Sequence, residues 1–409
     1  MHVPGLDRVR ERRRRLRSEI IYLVAPTGYP NYGDELIARA WLRHLARARP
    51  HATVVLDCHT PGQAALLLRG AHPNVLFTDT LWQLTLYAAD TARTSGPDAS
   101  IPWVWAAEAA TEFGPAPRLA EGVDLFRQAS SVHLLGGGYL NQVWPHHISL
   151  VAAAAALART TGAQAYATGQ GLIPTVEGPS WKAFTESAAE FTVFDVRDSA
   201  SADALAGVAA RRHTGDDAWL AVDEHRPTAP EPGHPGGVTL CVQSDLTDDF
   251  AAFGMTGREA LTAFVSKTLD AWEVPGEAIT VVEGIPGIDL EIPTRLGARL
   301  DGSTTIPFFD VWRRGLPVGR GDAWISTRFH PHLVAAAAGD SGVAVIGRPD
   351  YYATKHQSLV ASGSRWTVVD DPDAIPERPT AGGFSPADRD HAVAAKRALA
   401  QRLYPDNRY

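Results

Sequence analysis

Short apolar runs alternate with longer amphipathic or alanine-rich stretches through the first half of the chain. Nearly continuous apolar runs are typical of strands in a parallel sheet that helices cover on both faces. Between the runs, residues 35–49 and 148–160 are predicted to form helices. This rhythm predicts a doubly wound α/β domain. Its predicted strands span residues 20–25, 53–57, 75–78, 132–135, 164–168 and 192–196.

A stretch rich in proline and glycine, HRPTAPEPGHPGG at residues 225–237, interrupts the pattern and cannot carry a regular element. After it the alternation restarts, and a helix at 386–403 capped by Ser385 closes the chain. The predicted strands here span residues 238–243, 279–283, 304–309, 323–326, 343–346 and 366–369. We therefore predict an α/β protein with two Rossmann-like, doubly wound domains facing a cleft. The predicted units are a first domain at 1–222, a linker at 223–237 and a second domain at 238–409.

Length and composition agree with this organisation. The 409 residues exceed the roughly 250–300 at which a single hydrophobic core stops growing. Cys58 and Cys241 are the only cysteines and lie far apart in sequence, so neither a disulfide framework nor a zinc site is supported. We expect a cytoplasmic protein. The net charge of -8 creates no field that attracts nucleic acid, and none is expected as a partner.

The N-terminus departs from this balance because seven arginines lie between residues 8 and 17. The apolar stretch that follows is too short for a signal peptide, and no window reaches the ~18 apolar residues of a membrane span. An amphipathic helix with solvated arginines is the simpler interpretation. The alternative is weak attraction to anionic headgroups, which would place the protein at the inner face of the plasma membrane.

A turn-rich segment, TGYPNYGDE at residues 27–35, follows the first predicted strand and leads into a helix. Gly33 permits tight backbone geometry, and we expect Asp34 to cap the helix. The free N–H groups at the helix start could meet a ligand oxygen, although a plain turn is the competing interpretation. Asn31, Gly33 and Asp34 are therefore candidates for the cleft lining.

Three consecutive glycines follow the fourth predicted strand: Gly136, Gly137 and Gly138. Glycines at this place remove side chains where the backbone approaches another group closely, and a flexible loop is the alternative. The dinucleotide fingerprint G-x-G-x-x-G is not met, since Asn141 stands where its last glycine would be, and the chain has no G-K-[ST] phosphate loop. Trp144, His146 and His147 could line a sugar site or pack in the core.

Polar groups also follow the fifth and sixth predicted strands. Gln170 lies between two glycines, and Arg197 precedes Asp198 at a predicted helix start. Arg197 could present its planar fork to a carboxylate or phosphate, or it could form an ion pair with Asp198. Residues 214–217 (TGDD) are expected to form the crossing toward the linker.

The clearest candidate chemistry lies in the second domain, in the sequence AWISTRFH at residues 323–330. A strand would deliver Arg328 and His330 to its carboxyl end. Histidine can donate or accept a proton near neutral pH, and an arginine beside it can hold an anion. A packed histidine and an exposed arginine are the alternative. Lys355, in the segment DYYATK, adds a further contact for phosphate or carboxylate.

Seven motifs in one order resemble the polysaccharide pyruvyl transferase family, and together they cover most of the chain. They are NYGDELI at 31–37, LGGGYL at 135–140, GQG at 169–171, VRDS at 196–199, GDD at 215–217, STRFH at 326–330 and the later Lys355. The resemblance implies a fold like that of the two-domain GT-B glycosyltransferases. It also implies phosphoenolpyruvate as the donor substrate and a ketal-linked pyruvate on the hydroxyls of a sugar.

Carried onto this chain, the resemblance implies that Arg197 and Arg328 grip the donor and that His330 is the general acid. Phe329, where the family commonly has leucine, would be tolerated if that residue contributes mainly backbone. Lys355 would join the donor site. The resemblance implies neither a metal nor a cofactor beyond the donor substrate. The acceptor side would be lined by Asn31, Gly33, Asp34, Gly136, Gly137, Gly138, Asn141, His147 and Gln170.

Two other functions are consistent with the same cleft. A GT-B nucleotide-sugar glycosyltransferase would use the basic residues to bind a diphosphate. A catalytically silent carbohydrate-binding or scaffold protein would keep the architecture alone, but the joint presence of Arg197, Arg328 and His330 argues against it. The acceptor is expected to be a saccharide of cell-surface polysaccharide or glycolipid biosynthesis, in free or lipid-linked form.

Overall fold

The computed structural model describes residues 19–95, 101–224 and 236–406. The predicted N-terminal arginine-rich helix and most of the predicted linker lie outside the described residues. Within the described ranges, no helix is long and apolar enough to cross a membrane.

In the described part of the chain, the first sheet has seven strands, all parallel. They are β1 Ile20–Val24, β2 Thr53–Asp57, β3 Val75–Thr78, β4 Ser131–Leu134, β5 Gln164–Gln170, β6 Val193–Val196 and β7 Arg211–His213. Their order in the sheet is β3-β2-β1-β4-β5-β6-β7, so the chain reverses its winding direction between β1 and β4.

Helices cover both faces of this sheet. They are α1 Tyr32–Ala48, α2 Pro61–Leu67, α3 Thr80–Ser95, α4 Pro102–Thr111, α5 Ala120–Arg127, α6 Ile148–Thr161, α7 Gly178–Ala189 and α8 Ser199–Ala204. In α6 every residue from Ile148 to Leu157 is buried, because its alanines allow α4 and the sheet to approach from opposite sides. The sheet strands are buried in turn, which explains their continuous apolar sequences.

The second sheet is also parallel and contains six strands in the order β12-β11-β8-β13-β14-β15 within the described residues. Its strands and a small antiparallel hairpin are β8 Val238–Cys241, β9 Ala251–Ala252, β10 Met255–Thr256, β11 Ile279–Val282, β12 Thr304–Ile306, β13 Ala323–Ser326, β14 Ser341–Val345 and β15 Thr367–Val369. The helices are α9 Gly257–Ala271, α10 Glu291–Leu296, α11 Phe308–Arg314, α12 Phe329–Ala337, α13 Pro349–Ala361 and α14 Pro386–Leu403. The winding reverses between β8 and β13.

The structure confirms the predicted α/β fold with two Rossmann-like sheets, and every predicted strand is present with ends shifted by a few residues. Strand β7 was not predicted because its sequence, Arg-Arg-His, has no apolar run, as an edge strand permits. The hairpin β9–β10 is too short to leave a pattern. Helix α14 has the predicted bounds, and the Ser385 hydroxyl accepts a hydrogen bond from the Asp388 amide.

Helix α1 joins the two halves. The Tyr32 amide, at its first residue, donates a hydrogen bond of 2.9 Å to the Gly284 carbonyl in the second half. Further along, the Arg39 guanidinium lies 4.0 Å above the Trp312 ring and donates to the Trp312 carbonyl. The first turn of α1 is therefore held at the boundary between the two sheets.

Helix α14 follows the second sheet in sequence but packs against the first half of the protein through a mostly apolar face that contains one lysine. Its Lys396 is fully buried and donates to Asp195 at 2.7 Å and contacts Asp217 at 3.0 Å. Asp217 also accepts hydrogen bonds from the Trp41 indole, the Thr168 hydroxyl and the Gly136 amide. One lysine thus pairs with two buried carboxylates that also organise the backbone around them.

Replacing Lys396 with methionine should destabilise the protein strongly, because it leaves Asp195 and Asp217 buried without their cation. Breaking a buried pair in this way typically costs about 3–5 kcal/mol. Denaturant unfolding followed by far-UV circular dichroism should show a clear drop in the midpoint. Lys182→Met is the matched control, since Lys182 is 78% exposed and its ion pair with Glu186 measures 3.8 Å. Equal midpoints for the two variants would contradict this account.

Candidate active site

A cleft of about 570 Å³ lies between the two sheets, at the carboxyl ends of their strands. Loops that follow β1 and β4 form one wall, and the loops that follow β8 and β13 form the other. The winding of the first sheet reverses between β1 and β4, and that of the second sheet reverses between β8 and β13. Ligands of such folds bind at these points of reversal. Of the residues predicted from sequence, the lining contains Asn31, Gly33, Asp34, Gly138, His147, Arg197, Arg328, Phe329, His330 and Lys355.

Arg197 follows β6 and its side chain is almost completely buried. Its contacts with carboxylates are long, 3.7 Å to Asp198 and 3.5 Å to Asp216, and its Nε makes no hydrogen bond with the described residues. The guanidinium lies 4.5 Å from the centre of the Phe329 ring. The guanidinium packs against Gly171. A Cβ at residue 171 would lie only 2.5 Å from the Arg197 Nε, so this position requires glycine.

Arg328 is held more tightly. It stands at the N-terminus of α12, and its guanidinium donates to both carboxylate oxygens of the buried Asp289. The Nη2 atom that donates to Asp289 also donates to Asp245 at 3.0 Å, and the Asp245 side chain is 37% exposed. Burial would lower the pKa of Arg328, but Asp289 and Asp245 hold that pKa above its ordinary value. Arg328 is therefore a fixed cation at one end of the cleft.

His330 lies in the first turn of α12 and reaches across to the first sheet. Its Nε2 is 3.5 Å from Asp216 Oδ1 and makes no hydrogen bond with the described residues. Asp216 contacts Arg197 through its other oxygen, so one carboxylate joins groups from both halves of the protein. Burial alone would raise the pKa of Asp216, but His330 and Arg197 hold it well below its usual range.

Lys355, on α13, completes the cationic group. Its Nζ lies 3.1 Å from the centre of the Tyr351 ring and 4.8 Å from that of Tyr352. The Tyr351 hydroxyl donates to the Gly138 carbonyl at 2.8 Å, which ties α13 to the glycine loop after β4. Burial, followed by the nearby Arg197, lowers the pKa of Lys355 well below its ordinary value.

The predicted capping role of Asp34 is wrong. Helix α1 begins at Tyr32, so Asn31 is the capping residue, and its side-chain oxygen accepts from the Gly33 amide. Asp34 instead lies in the first turn of α1 and lines the cleft. Burial raises its pKa to about 6, although His330 and Lys355 act to lower it. Its neighbour Glu35 is buried and accepts a hydrogen bond of 2.7 Å from the Gly28 amide.

Four residues predicted for the acceptor side lie behind the lining rather than in it. The Gly136 amide donates to Asp217, and Gly137 pairs with Gln170 in a short bridge. The Gln170 side chain donates to backbone carbonyls including that of Leu135, and the Asn141 side chain closes its own turn by donating to Gly138. These four residues therefore hold together the loops behind the cleft lining.

Phe329 does more than supply backbone. Its ring lies under the Arg197 guanidinium and meets the His330 ring edge-on at 5.1 Å, so a side chain with a π face holds both functional groups. Asp216, Asp245 and Asp289 also belong to the site, although they were not among the site residues predicted from the sequence. Asp216 lies within the GDD motif, which was interpreted as a connection; Asp245 and Asp289 reach Arg328 only through the tertiary fold.

Within the described ranges, no group of three or more His, Cys, Asp and Glu side chains is arranged to hold a metal ion. The basic residues that meet at the cleft present N–H groups, which donate hydrogen bonds to the oxygen atoms of an anion.

Two parallel sheets with the site between them define the GT-B fold of glycosyltransferases and sugar epimerases. A protein from Listeria monocytogenes assigned as a UDP-N-acetylglucosamine 2-epimerase superposes with a TM-score of 0.53 at 9% identity, over 95% of this chain and 92% of its own. A glycosyltransferase from Rickettsia africae gives a TM-score of 0.51 at 11% identity, over 96% of this chain and 100% of its own. At these identities the likeness concerns the fold alone.

The sequence assigns the family within this fold. The family model of polysaccharide pyruvyl transferases matches residues 31–298, more than half of the 409 residues, and the chain belongs to this family. No curated protein sequence matches the chain. The matched range contains Arg197 and Asp216, whereas Arg328 and His330 lie beyond it.

Substitution of Gly33 by alanine should displace His330, because the added Cβ would lie 1.8 Å from the His330 Nδ1. A displacement of about 1 Å within an active site can cost about a hundredfold in rate, so pyruvyl transfer should fall by that order. Steady-state kinetics would measure the loss. Gly62→Ala is the control, since nothing lies within 4 Å of its added Cβ. Full activity in Gly33→Ala would show that His330 is not held where the structure places it.

Proposed function

We propose that this pyruvyl transferase moves the enolpyruvyl group of phosphoenolpyruvate onto two hydroxyls of one sugar, which forms a pyruvate ketal and releases phosphate. The observation that carries the proposal is a pair of buried donors, Arg197 Nε and His330 Nε2, that make no hydrogen bond with the described residues. Buried donors are almost always satisfied, and both residues line the cleft, so a bound ligand is their natural partner.

The donor carries a carboxylate and a phosphate, and we assign these to Arg197, Arg328 and Lys355. The long contacts of Arg197 leave its donors available. At Arg328, the buried Asp289 stays in place, while the half-exposed Asp245 can yield its position to a ligand oxygen. Each charge-assisted hydrogen bond gained would contribute roughly 1.5–3 kcal/mol. An anion beside Lys355 would also favour its protonated form, against the burial that disfavours it.

In the proposed chemistry His330 protonates the methylene carbon of the donor, and the adjacent carbon becomes electrophilic. Asp216, 3.5 Å from His330 Nε2, positions the imidazole for this step. A sugar hydroxyl adds to the electrophilic carbon. The C–O bond between this carbon and the phosphate then breaks, and Arg197 and Arg328 stabilise the departing phosphate.

Asp34 is the proposed acceptor of the hydroxyl proton. With a pKa of about 6 it is ionised at neutral pH yet basic enough to take a proton in the transition state. A second hydroxyl closes the ketal. Asp34 passes the proton of the first hydroxyl to the departing phosphate, and the proton of the second hydroxyl restores His330, so the site returns to its starting state. The scheme uses the donor as a substrate and requires no cofactor.

The acceptor is proposed to be a saccharide of cell-surface polysaccharide or glycolipid biosynthesis. Phosphoenolpyruvate is a cytoplasmic metabolite, which favours action in the cytoplasm, with association at the inner face of the plasma membrane as a further proposal.

Phosphoenolpyruvate should raise the thermal midpoint of both the wild type and His330→Ala, because the arginines and Lys355 remain in the variant. Phosphate release on a panel of galactosides, mannosides and glucosides should be lost only in His330→Ala, since it lacks the acid. Stabilisation of both proteins by a nucleotide diphosphate-sugar, and of neither by phosphoenolpyruvate, would favour a glycosyltransferase instead. Stabilisation by neither ligand would favour a silent protein.

Asp34→Asn should lower kcat by about 10²–10⁴, the usual contribution of a general base. The rate of the wild type should rise with pH through about 6 as Asp34 loses its proton, and this limb should be missing from the pH profile of the variant. Donor stabilisation in a thermal shift assay should persist. Asp90→Asn, at a 62% exposed side chain on α3, is the matched control. A variant that keeps the limb near pH 6 would remove Asp34 from the mechanism.

A further inference from the structure

The cleft is divided by charge. Its basic side chains Arg197, Arg328 and Lys355 lie together in one part of the lining. The outer wall formed by the first half contains Tyr29, His59, Leu86, Trp144 and His146. None of these carries a fixed charge. Burial, with a contribution from His146, lowers the pKa of His59 to about 4, and burial also lowers the pKa of His146. This wall is therefore neutral and largely apolar at physiological pH.

The neutral wall continues out of the cleft along α3. Leu86 belongs to the cleft lining and is 44% exposed, and the adjacent Tyr87 is 60% exposed. The Tyr87 ring meets the Trp105 ring of α4 at 5.2 Å, which joins the two helices at the surface. Helix α4 exposes Val104, and Ile101 at its start is also exposed. We name Leu86, Tyr87, Ile101 and Val104 the α3–α4 face.

This concentration of exposed apolar groups needs an explanation. Of the ten large hydrophobic side chains that stand out as exposed among the described residues, four form the α3–α4 face and a fifth, Tyr29, lines the cleft. Single exposed apolar residues are ordinary, whereas apolar groups that extend a binding cleft mark contact with an apolar partner. Because Leu86 belongs both to the cleft and to the face, the occupant of the cleft can also cover the face.

We propose that the acceptor sugar carries an uncharged, apolar aglycone, which leaves the cleft past Leu86 and lies on the α3–α4 face. This rests on the proposed function, since it concerns the acceptor of the same site. The sugar hydroxyls meet Asp34 and the neutral imidazoles, and the apolar chain meets leucine, valine and aromatic side chains. A charged group near the junction of sugar and aglycone would lose its hydration against this wall without gaining a partner.

Three glycosides of one sugar test the proposal: methyl, octyl and 7-carboxyheptyl, each below its critical micelle concentration. The sugar is whichever of the galacto, manno and gluco series supports phosphate release. For the wild type, KM should be about tenfold lower for the octyl than for the methyl glycoside, as burial of a few CH₂ groups predicts. The terminal carboxylate should cancel much of this advantage.

Two variants locate the effect. In Leu86→Asp and in Val104→Asp the ratio of the methyl KM to the octyl KM should fall toward one. Leu66→Asp is the matched control, because Leu66 is 61% exposed on α2 and lies outside the cleft lining, and it should keep the wild-type ratio. A wild-type ratio near one, or a ratio that survives in both Leu86→Asp and Val104→Asp, would overturn the proposal.

Failure of the proposed function has a different signature. In that case no glycoside elicits phosphate release from phosphoenolpyruvate, whatever its aglycone. Equilibrium binding of the same methyl and octyl glycosides, followed by tryptophan fluorescence, still tests the aglycone site, since Trp144 lies in the cleft wall. Tighter binding of the octyl glycoside that Leu86→Asp removes would support the inference, and equal binding of the two would reject it.

Discussion

The site depends on a positive charge buried beneath the loops of the first sheet. Lys396 of α14 pairs with Asp195 and Asp217, neither of which is exposed to solvent. Asp217 fixes the Gly136 amide behind the glycine loop, and its neighbour Asp216 faces the cleft. Without the lysine, two desolvated carboxylates would repel each other directly beneath the residues that hold His330. The position of His330 therefore depends on an interaction outside the cleft lining.

The functional cations are held in place before any ligand binds, but to different degrees. Arg328 is fixed by a bidentate contact with Asp289, while Arg197 keeps only long contacts and an aromatic support from Phe329. Preorganisation of this kind reduces the entropy lost when a ligand binds, and the looser arginine retains the capacity to form new hydrogen bonds. Asp216 links the looser arginine to His330, so one carboxylate couples the positions of these two side chains.

The sequence predicted most of the fold because buried parallel strands leave apolar runs of a characteristic length. The strands that were not predicted are the polar edge strand β7 and the two-residue strands of the hairpin β9–β10. It also predicted that Arg197, Arg328 and His330 follow strands and share a cleft. What it could not give were side-chain partners. The position of Asp34 depended on where α1 begins, and Gln170 looked available although the fold turns its amide toward backbone carbonyls. Asp289 is distant in sequence from Arg328 and carries no local pattern that would identify their contact.

The crossing of α14 from the second sheet to the first also sets an order of assembly during synthesis. All seven strands of the first sheet are made before residue 214, yet the cation that pairs with its buried carboxylates is residue 396. Domains generally begin to fold as they leave the ribosome, N-terminal part first. The strands of the first domain are therefore synthesised well before the lysine that pairs with Asp195 and Asp217. Until residue 396 is available, these two carboxylates have only hydrogen-bond donors of the first half, such as Trp41 and the Gly169 amide, as partners.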